Sequence, residues 1–319
     1  MQIVVREITD PDEAAAALYP TKAEIMPVGS GQFARYFVSI DFPSLRLRSF
    51  LESLPRLVHV NRAPDRAHVG FLLDETSNPI VVDGLEIDTG AFVQFGSGCE
   101  STHRSFSPIA WANLSVSHAE LARLSSGLGG HDLAAGRTPR LLMPDPTKMR
   151  RLRALHASVI TVAKQSPELL SEPGLVCSME AAVMEAMVDC LGSPDQQRHS
   201  PAQLRHAAVL GRFRELLDAN LDRPLYLPEV CAAIGVSHRA LSYSCQDFLG
   251  MPPKRYFFLR RMHMVRRVLL ESDRRATTVT EVATRHGFWE FGRFAVQYKM
   301  LFDEMPSATL RRDKCSSCV

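Results

Sequence analysis

The alternation of apolar and polar positions changes character twice along the chain. From about residue 35 to 117 there are short apolar or alternating runs, RYFVSI, RLVHV, AHVGFLL, PIVV, GLEI, GAFVQFG and PIAWANLSV, broken by turn formers such as Pro79, Gly84, Gly90, Gly96, Gly98 and Pro108. Alternation with period two puts successive side chains on opposite faces of a strand, and breaks this frequent predict an antiparallel sandwich or barrel. A parallel α/β sheet is disfavoured, because no helix-length pattern separates the runs. The stretch SSGLGGHDLAAGRTPRLLMPDP, with its Gly and Pro, then closes the unit.

Next comes a helical period. Met149, Leu152, Leu155, His156 and Val159 fall on one side of a helix over Thr147 to Gln165, and Val176, Met179, Val183, Met187 and Cys190 on one side of a second over Leu175 to Leu191. Helices this apolar need a cover, either their own sheet or a second copy of the chain. The run SPDQQRHSP at 193–201 is polar and bounded by proline, which marks a linker.

Beyond it the chain repeats itself. Val230 pairs with Val282 and Gly235 with Gly287 at an offset of 52 residues; Leu241 pairs with Phe294, Cys245 with Tyr298, Leu249 with Phe302 and Pro253 with Pro306 at 53. Matched character at a nearly constant offset indicates an internal duplication. In the second copy Thr278 and Glu281 have the spacing of a capping box, starting a short helix that Gly287 ends. A second helix begins near Glu290, with Phe291, Phe294, Tyr298 and Phe302 inward and Arg293, Val296, Gln297 and Met300 outward. In the first copy Tyr226 stands where a capping hydroxyl belongs, Pro228 lies in the first turn, and Gly235-Val236-Ser237 makes the turn. Ser237 caps a helix that puts Leu241, Cys245 and Phe248 inward and leaves Arg239, Ser242, Tyr243 and Gln246 on a solvent stripe. Between the copies, PPKRYFFLRRMHMVRRVLLES predicts one helix with Tyr256, Phe257, Met262, Val265 and Leu269 along one side. A short helix, a glycine turn and an amphipathic helix with polar outer side chains is a helix-turn-helix, whose second helix fits the DNA major groove.

Charge agrees with this division. Residues 1–200 carry 18 Lys/Arg against 23 Asp/Glu, a net of −5; residues 201–319 carry 19 against 12, a net of +7, together the +2 of the whole chain. Only the basic part suits a polyanion.

The residues PEVCAAIGVSHRALSYSCQDFLGMPPKRY, Arg261-Met262 with Val265 and Leu269, and TEVATRHGF followed by Phe294, Tyr298, Phe302 and Pro306 resemble the AraC/XylS family of bacterial transcription regulators. The run GFWEFGRFAVQYKMLFDEMPSATL is also similar to a branch that includes regulators of ethanolamine utilisation. The resemblance covers Leu225 to Arg312, about a third of the chain. It implies an α+β protein with a β-rich, cupin-like sensor domain at 1–145, a helical connector, linker and candidate dimerisation region at 146–200, and a double helix-turn-helix domain at 201–314. It implies base contacts at Arg239, Ser242 and Tyr243 in the first copy and at Gly292, Arg293 and Val296 in the second, where Gly292 and Val296 are less polar than the family pattern. His238, Gln246, Glu290 and Gln297 complete the expected DNA-facing set. Asp303 replaces the usual glycine after the last recognition helix and tolerates the same left-handed backbone. The implied protein is a cytoplasmic activator working on an operator, controlled by a small-molecule effector, with RNA polymerase and a second copy of the chain as further partners.

For the effector, Cys99, Glu100 and Trp111 are the candidate residues, since an aromatic ring and a few polar groups in an apolar barrel make a small-ligand site. GSGCESTHRSF otherwise reads as a loop with exposed polar residues, His103 among them, and Arg62, Arg66 and Arg104 as solvated loop charges. No phosphate loop, dinucleotide fingerprint, hydrolase elbow or metal-ligand cluster is present, so no cofactor, metal or catalytic residue is expected. The competing reading is a cupin-like small-molecule enzyme tethered through its helical domain. The N-terminus is acidic where a secretory leader needs a basic start, no apolar run approaches a membrane span, and seven scattered cysteines read as reduced thiols. Cys315 and Cys318 have metal or redox spacing but lie in a polar tail without a second ligand pair.

Overall fold

The structure is a computed structural model that describes residues 2–127, 139–197, 200–220, 225–273 and 275–312. Cys315, Cys318, the boundary at 314 and most of the glycine-rich stretch after residue 127 lie outside the described residues. The chain divides into two compact units, one of Met1–Ile25 and Ala34–Arg198, the other of Met26–Phe33 and His199–Val319.

In chain order the strands are β1 (Gln2–Ile8), β2 (Lys22–Pro27), β3 (Arg35–Asp41), β4 (Leu45–Glu52), β5 (Arg56–Asn61), β6 (Arg66–Leu72), β7 (Ile80–Val82), β8 (Leu85–Ile87), β9 (Phe92–Phe95), β10 (Glu100–Arg104), β11 (Ile109–Ser117), β12 (Arg140–Leu142) and β13 (Asp195–Gln197). One sheet has the order β1-β3-β4-β11-β6-β9-β12-β13 and the other β2-β5-β10-β7-β8. Pairing is antiparallel through the larger sheet and through β5-β10-β7-β8 of the smaller, with β11 held between β4 and β6 (Leu114 opposite Leu47 and Val69). All seven runs picked out by their alternation are strands. The loop expected at GSGCESTHRSF is instead β10, with Ser101, Thr102 and His103 buried. The first part of the expected linker is β13, the edge strand paired with β12.

The helices of this unit are α1 (Pro11–Ala16), α2 (His118–Gly127), α3 (Pro146–Gln165) and α4 (Pro173–Leu191). Asp145 caps α3 by accepting from Thr147 N at 2.8 Å, and Pro146 takes the first turn, where a missing N–H leaves nothing unpaired. Met149, Leu152, His156 and Val159 of α3 and Val183, Met187 and Cys190 of α4 are buried, in one core with Val38, Leu47, Val69, Phe71 and Leu114 of the larger sheet. The cover for these helices is therefore their own sheet. Burial of Glu180 on α4 is balanced because its Oε1 accepts from Ser44 N (2.6 Å) and Leu45 N (2.9 Å), tying the helix to the β3–β4 turn.

The second unit is helical: α5 (Pro201–Asp218), α6 (Leu227–Ile234), α7 (His238–Leu249), α8 (Pro253–Glu271), α9 (Val279–Arg285), α10 (Phe291–Phe302) and α11 (Pro306–Arg311). Ser200 and Gln203 form a reciprocal capping box at the start of α5. Its Phe213 packs against Tyr256 and Phe257 of α8, at ring distances of 5.8 and 5.3 Å.

Candidate nucleic-acid interface and interior cavity

The duplication is visible in three dimensions. Val230, Leu241 and Cys245 are buried, as are their partners Val282, Phe294 and Tyr298. Gly235 (φ 68°) and Gly287 (φ 77°) both take the left-handed backbone that lets a short helix turn sharply into the next. One helix later the correspondence holds again: Gly250 (φ 67°) follows α7, and Asp303 (φ 57°) follows α10. Capping is distributed unequally. Ser237 Oγ accepts from Ala240 N (3.1 Å) and Thr278 Oγ1 from Glu281 N (3.1 Å), whereas Tyr226 and Glu290 make no side-chain cap. Each unit thus has one capped helix and one held mainly by packing.

Between them α8 runs 19 residues, which at 1.5 Å per residue is a rod of about 28 Å. Its Met262, Val265 and Leu269 are buried, and Phe257 is half-buried. The last helix locks the second unit: Tyr298 Oη donates to Thr309 Oγ1 of α11 at 2.9 Å, both groups buried.

On the outside of α7, His238, Arg239, Tyr243 and Gln246 are exposed and Ser242 is half-buried. Arg239 Nη2 donates to Tyr243 Oη at 3.2 Å, with the guanidinium 5.4 Å from the ring, so the two side chains form one polar surface. On α10, Gly292, Arg293, Val296 and Met300 are exposed and Gln297 is half-buried. Glu290 lies at the head of that helix, 3.6 Å from Arg293 in an exposed ion pair. A Cβ built on Gly292 meets nothing within 4 Å, so this face is open. One inward assignment is corrected. Phe291 is 42% exposed, because it sits in the first turn of α10 before the helix meets the core, and Leu301 is buried instead.

In the β unit the candidate effector residues separate. Trp111 lines a partly open cavity of about 50 Å³; Cys99 is buried beside Arg62 (3.8 Å from Sγ to Nη1) but does not line it. Glu100 is exposed and accepts from Asn61 Nδ2 at 3.1 Å, away from the cavity lining. Trp111 lies against β6 at Gly70, where an added Cβ would come within 2.3 Å of its ring.

What sequence reading missed is the charge of this cavity. Arg35, Arg48, Arg56 and Arg62 line it, and each is more than nine-tenths buried. The reading of Arg62 as a solvated loop charge is therefore corrected. It lies 3.6 Å over the Phe95 ring and donates to Ser101 Oγ (2.6 Å), so stacking and hydrogen bonding replace water. The reading of His103 as an exposed loop residue is corrected too, since it stacks on Phe95 and sits 3.2 Å from Arg62. Arg66 is half-buried on β6 and donates to Ser115 O, while Arg104 is half-buried at the end of β10.

Glu52 bridges Arg35 and Arg56. Burial drives its pKa upward, but the two guanidiniums outweigh burial and leave it at about 2, so it is ionised at neutral pH. Burial, then Arg46, lower Arg48 to about 10 against the pull of Asp41, and it too keeps its charge. Burial and the nearby Arg62 push His68 down to about 3, which keeps its imidazole neutral. The only sequence signals for this arrangement are Arg46 and Arg48 alternating with Leu45 and Leu47, and Arg56 and Arg62 at the edges of a strand run.

Among the described residues no group of three His, Cys, Asp or Glu converges to hold a metal ion, and no helix is long and apolar enough to cross a membrane. A family model described as a helix-turn-helix domain matches residues 230–312. The chain is 40% identical over 97 residues to the probable thc operon regulatory protein of Rhodococcus erythropolis, covering 30% of this chain and 29% of that protein. It is 34% identical over 103 residues to the XylDLEGF operon transcriptional activator 1 of Pseudomonas putida, covering 32% of this chain and 31% of that one. The chain thus spans about three tenths of the length of these relatives. Among solved structures it is similar to the AraC-like transcriptional activator CuxR at 14% identity, over 82% of this chain and 94% of that one, with a TM-score of 0.42.

Proposed function

We propose, from the premise that the C-terminal domain of this chain belongs to the AraC/XylS family, that the protein is a sequence-specific DNA-binding transcription regulator, an activator controlled by a small molecule bound in its β unit. One observation carries the reading: two units with matched buried positions and matched left-handed turns each leave a second helix free on its outer face, one bearing Arg239 and the other Arg293. The major groove is wide enough for such a helix, and there Arg pairs with guanine, Gln with adenine, and an apolar side chain with the thymine methyl. On α7, Arg239, Ser242, Tyr243 and Gln246 have the chemistry for hydrogen-bonded reading. On α10, Val296 suits a thymine methyl, and Arg293 a phosphate or base edge.

The rod α8 fixes the spacing. Its ~28 Å is close to the ~34 Å between successive major-groove sites on one face of the duplex, since each recognition helix adds its own width. The +7 charge of residues 201–319 supplies the sequence-independent attraction to phosphate. RNA polymerase and a second copy of the chain are the further partners to look for, by co-purification and by sedimentation.

Selection from a random duplex pool, followed by titration of the selected site at two ionic strengths, tests this reading. The expected outcome is enrichment of one sequence and an affinity that falls steeply as salt rises, because Lys and Arg contacts release counterions. Absence of enrichment, or an affinity indifferent to salt, rejects it.

A further inference from the structure

The cavity in the β unit carries more positive charge than its own structure neutralises. Glu52 is the carboxylate bonded there, and it is shared by Arg35 and Arg56. Arg35 is satisfied in full, its Nη1 donating to Ala14 O at 2.9 Å and its other two nitrogens to Glu52. Arg48 has only the backbone oxygens of Leu18 (2.8 Å) and Tyr19 (2.7 Å), and Arg62 has Ser101, His103 and the Cys99 thiol; neither hydrogen-bonds a carboxylate. Asp83 acts on Arg62 only as a more distant charge.

Three buried polar atoms on the lining have no partner at all: Arg48 Nε, Arg56 Nη1 and His68 Nε2. Burying a charged or polar group without a hydrogen-bond partner costs several kcal/mol in general, so nearly all such groups in folded proteins are satisfied. Three of the eight such atoms among the described residues belong to residues lining this one cavity, where a bound ligand would supply their partners. The rest of the lining combines the apolar Leu18, Phe50, Val58, Val60 and Trp111 with Thr21, His103 and Asn113.

We infer that this cavity binds a small organic carboxylate, whose two oxygens take the free donors of Arg48 and Arg56 near Arg62, and whose apolar body lies against Phe50 and Trp111. The inference rests on the effector-controlled reading above and names the ligand class of that site. Separate N–H donors on two arginines of one lining suit a two-oxygen head, and charge-assisted bonds of this kind are about twice as strong as neutral ones. An inorganic phosphate would leave the apolar wall unused and carry a second charge to be desolvated. A neutral ligand would leave the excess guanidinium charge uncompensated. Gly70 has a positioning role, because only a residue without Cβ lets the Trp111 ring lie against β6 and leave the cavity open.

The test uses the full-length chain carrying Trp289→Phe, which leaves Trp111 as the single tryptophan of the two. Acetate, hexanoate, decanoate and phenylacetate are titrated, each against its neutral amide, with inorganic phosphate as a further arm. Trp111 emission and the thermal midpoint are read together. At least one acid with an apolar body should change the emission, raise the midpoint and bind at least tenfold more tightly than its amide. Arg48→Gln should weaken that acid at least tenfold and leave the amide unchanged.

Amides that match their acids, no acid that binds, or phosphate that binds as well as the best acid would overturn the inference. If Arg48→Gln does not fold, the acid-to-amide contrast on the parent protein still decides. Because these readouts need no DNA, their failure is distinct from failure of duplex selection, which is run without any acid.

Discussion

In the first helix-turn-helix unit the exposed face of α7 carries Arg239, Tyr243 and Gln246; at the same offset of 53 residues, α10 carries Gly292, Val296 and Lys299. Beneath these faces the two units match in the buried pairs Val230/Val282, Leu241/Phe294 and Cys245/Tyr298 and in their left-handed turns. A buried skeleton must fill its space at high density, so both copies keep apolar or aromatic groups there. An exposed face has no such constraint and can differ in the chemistry it offers. Under the proposed function the two units therefore need not read DNA in the same way: the first would serve hydrogen-bonded discrimination, the second shape and methyl contact.

Removing the shared skeleton gives the largest effects. Phe294→Ala should cost about 3–5 kcal/mol and Leu241→Ala about 2–5 kcal/mol, since each leaves a cavity as well as losing buried surface. Urea unfolding of the full chain measures both, and a loss below about 1 kcal/mol in either would show that its unit is not built on that core.

Next come the exposed arginines. Arg239→Ala should cost about 1–3 kcal/mol at the selected site and flatten the preference at one base pair, as expected of a bidentate contact. Arg293→Ala should weaken binding almost equally on all sequences and lower the salt slope by about 1, as expected of a phosphate contact. Quantitative gel shifts on target and random duplexes separate the two; identical profiles for both variants would erase the proposed asymmetry.

The smallest effect is the most diagnostic of surface. Gly292→Ala should stabilise the domain by up to about 1 kcal/mol, because alanine is the better helix former and the added Cβ meets nothing. If DNA approaches α10 closely there, the same variant loses affinity while gaining stability. A loss of stability in thermal unfolding would instead mean that this face is covered.

Legibility in the sequence followed the kind of burial. The seven apolar runs in the β unit were readable because hydrophobic alternation announces itself. β4 was not, because Arg46, Arg48 and Ser49 interrupt it; Arg48 and Ser49 are buried in spite of their polarity, Arg48 by bonding to Leu18 and Tyr19 backbone oxygens. The same applies to β10, whose Ser101, Thr102 and His103 find partners inside the fold. A buried polar residue is indistinguishable from a solvated one until its partner, tens of residues away, is known. Arg35 with Glu52 and Arg62 with Phe95 are such pairs. The helix-turn-helix units were more legible because the chain states them twice, so that each copy checks the other. Phe291 escaped that check, since its first-copy counterpart is the exposed His238.

Hydroxyl-radical footprinting of the full-length protein on its selected duplex tests the paired-reader claim most directly. Two protected segments about 10 base pairs apart on one face of the helix are expected, with Arg239→Ala removing the sequence preference within one of them. A single protected segment, or two on opposite faces, would contradict it.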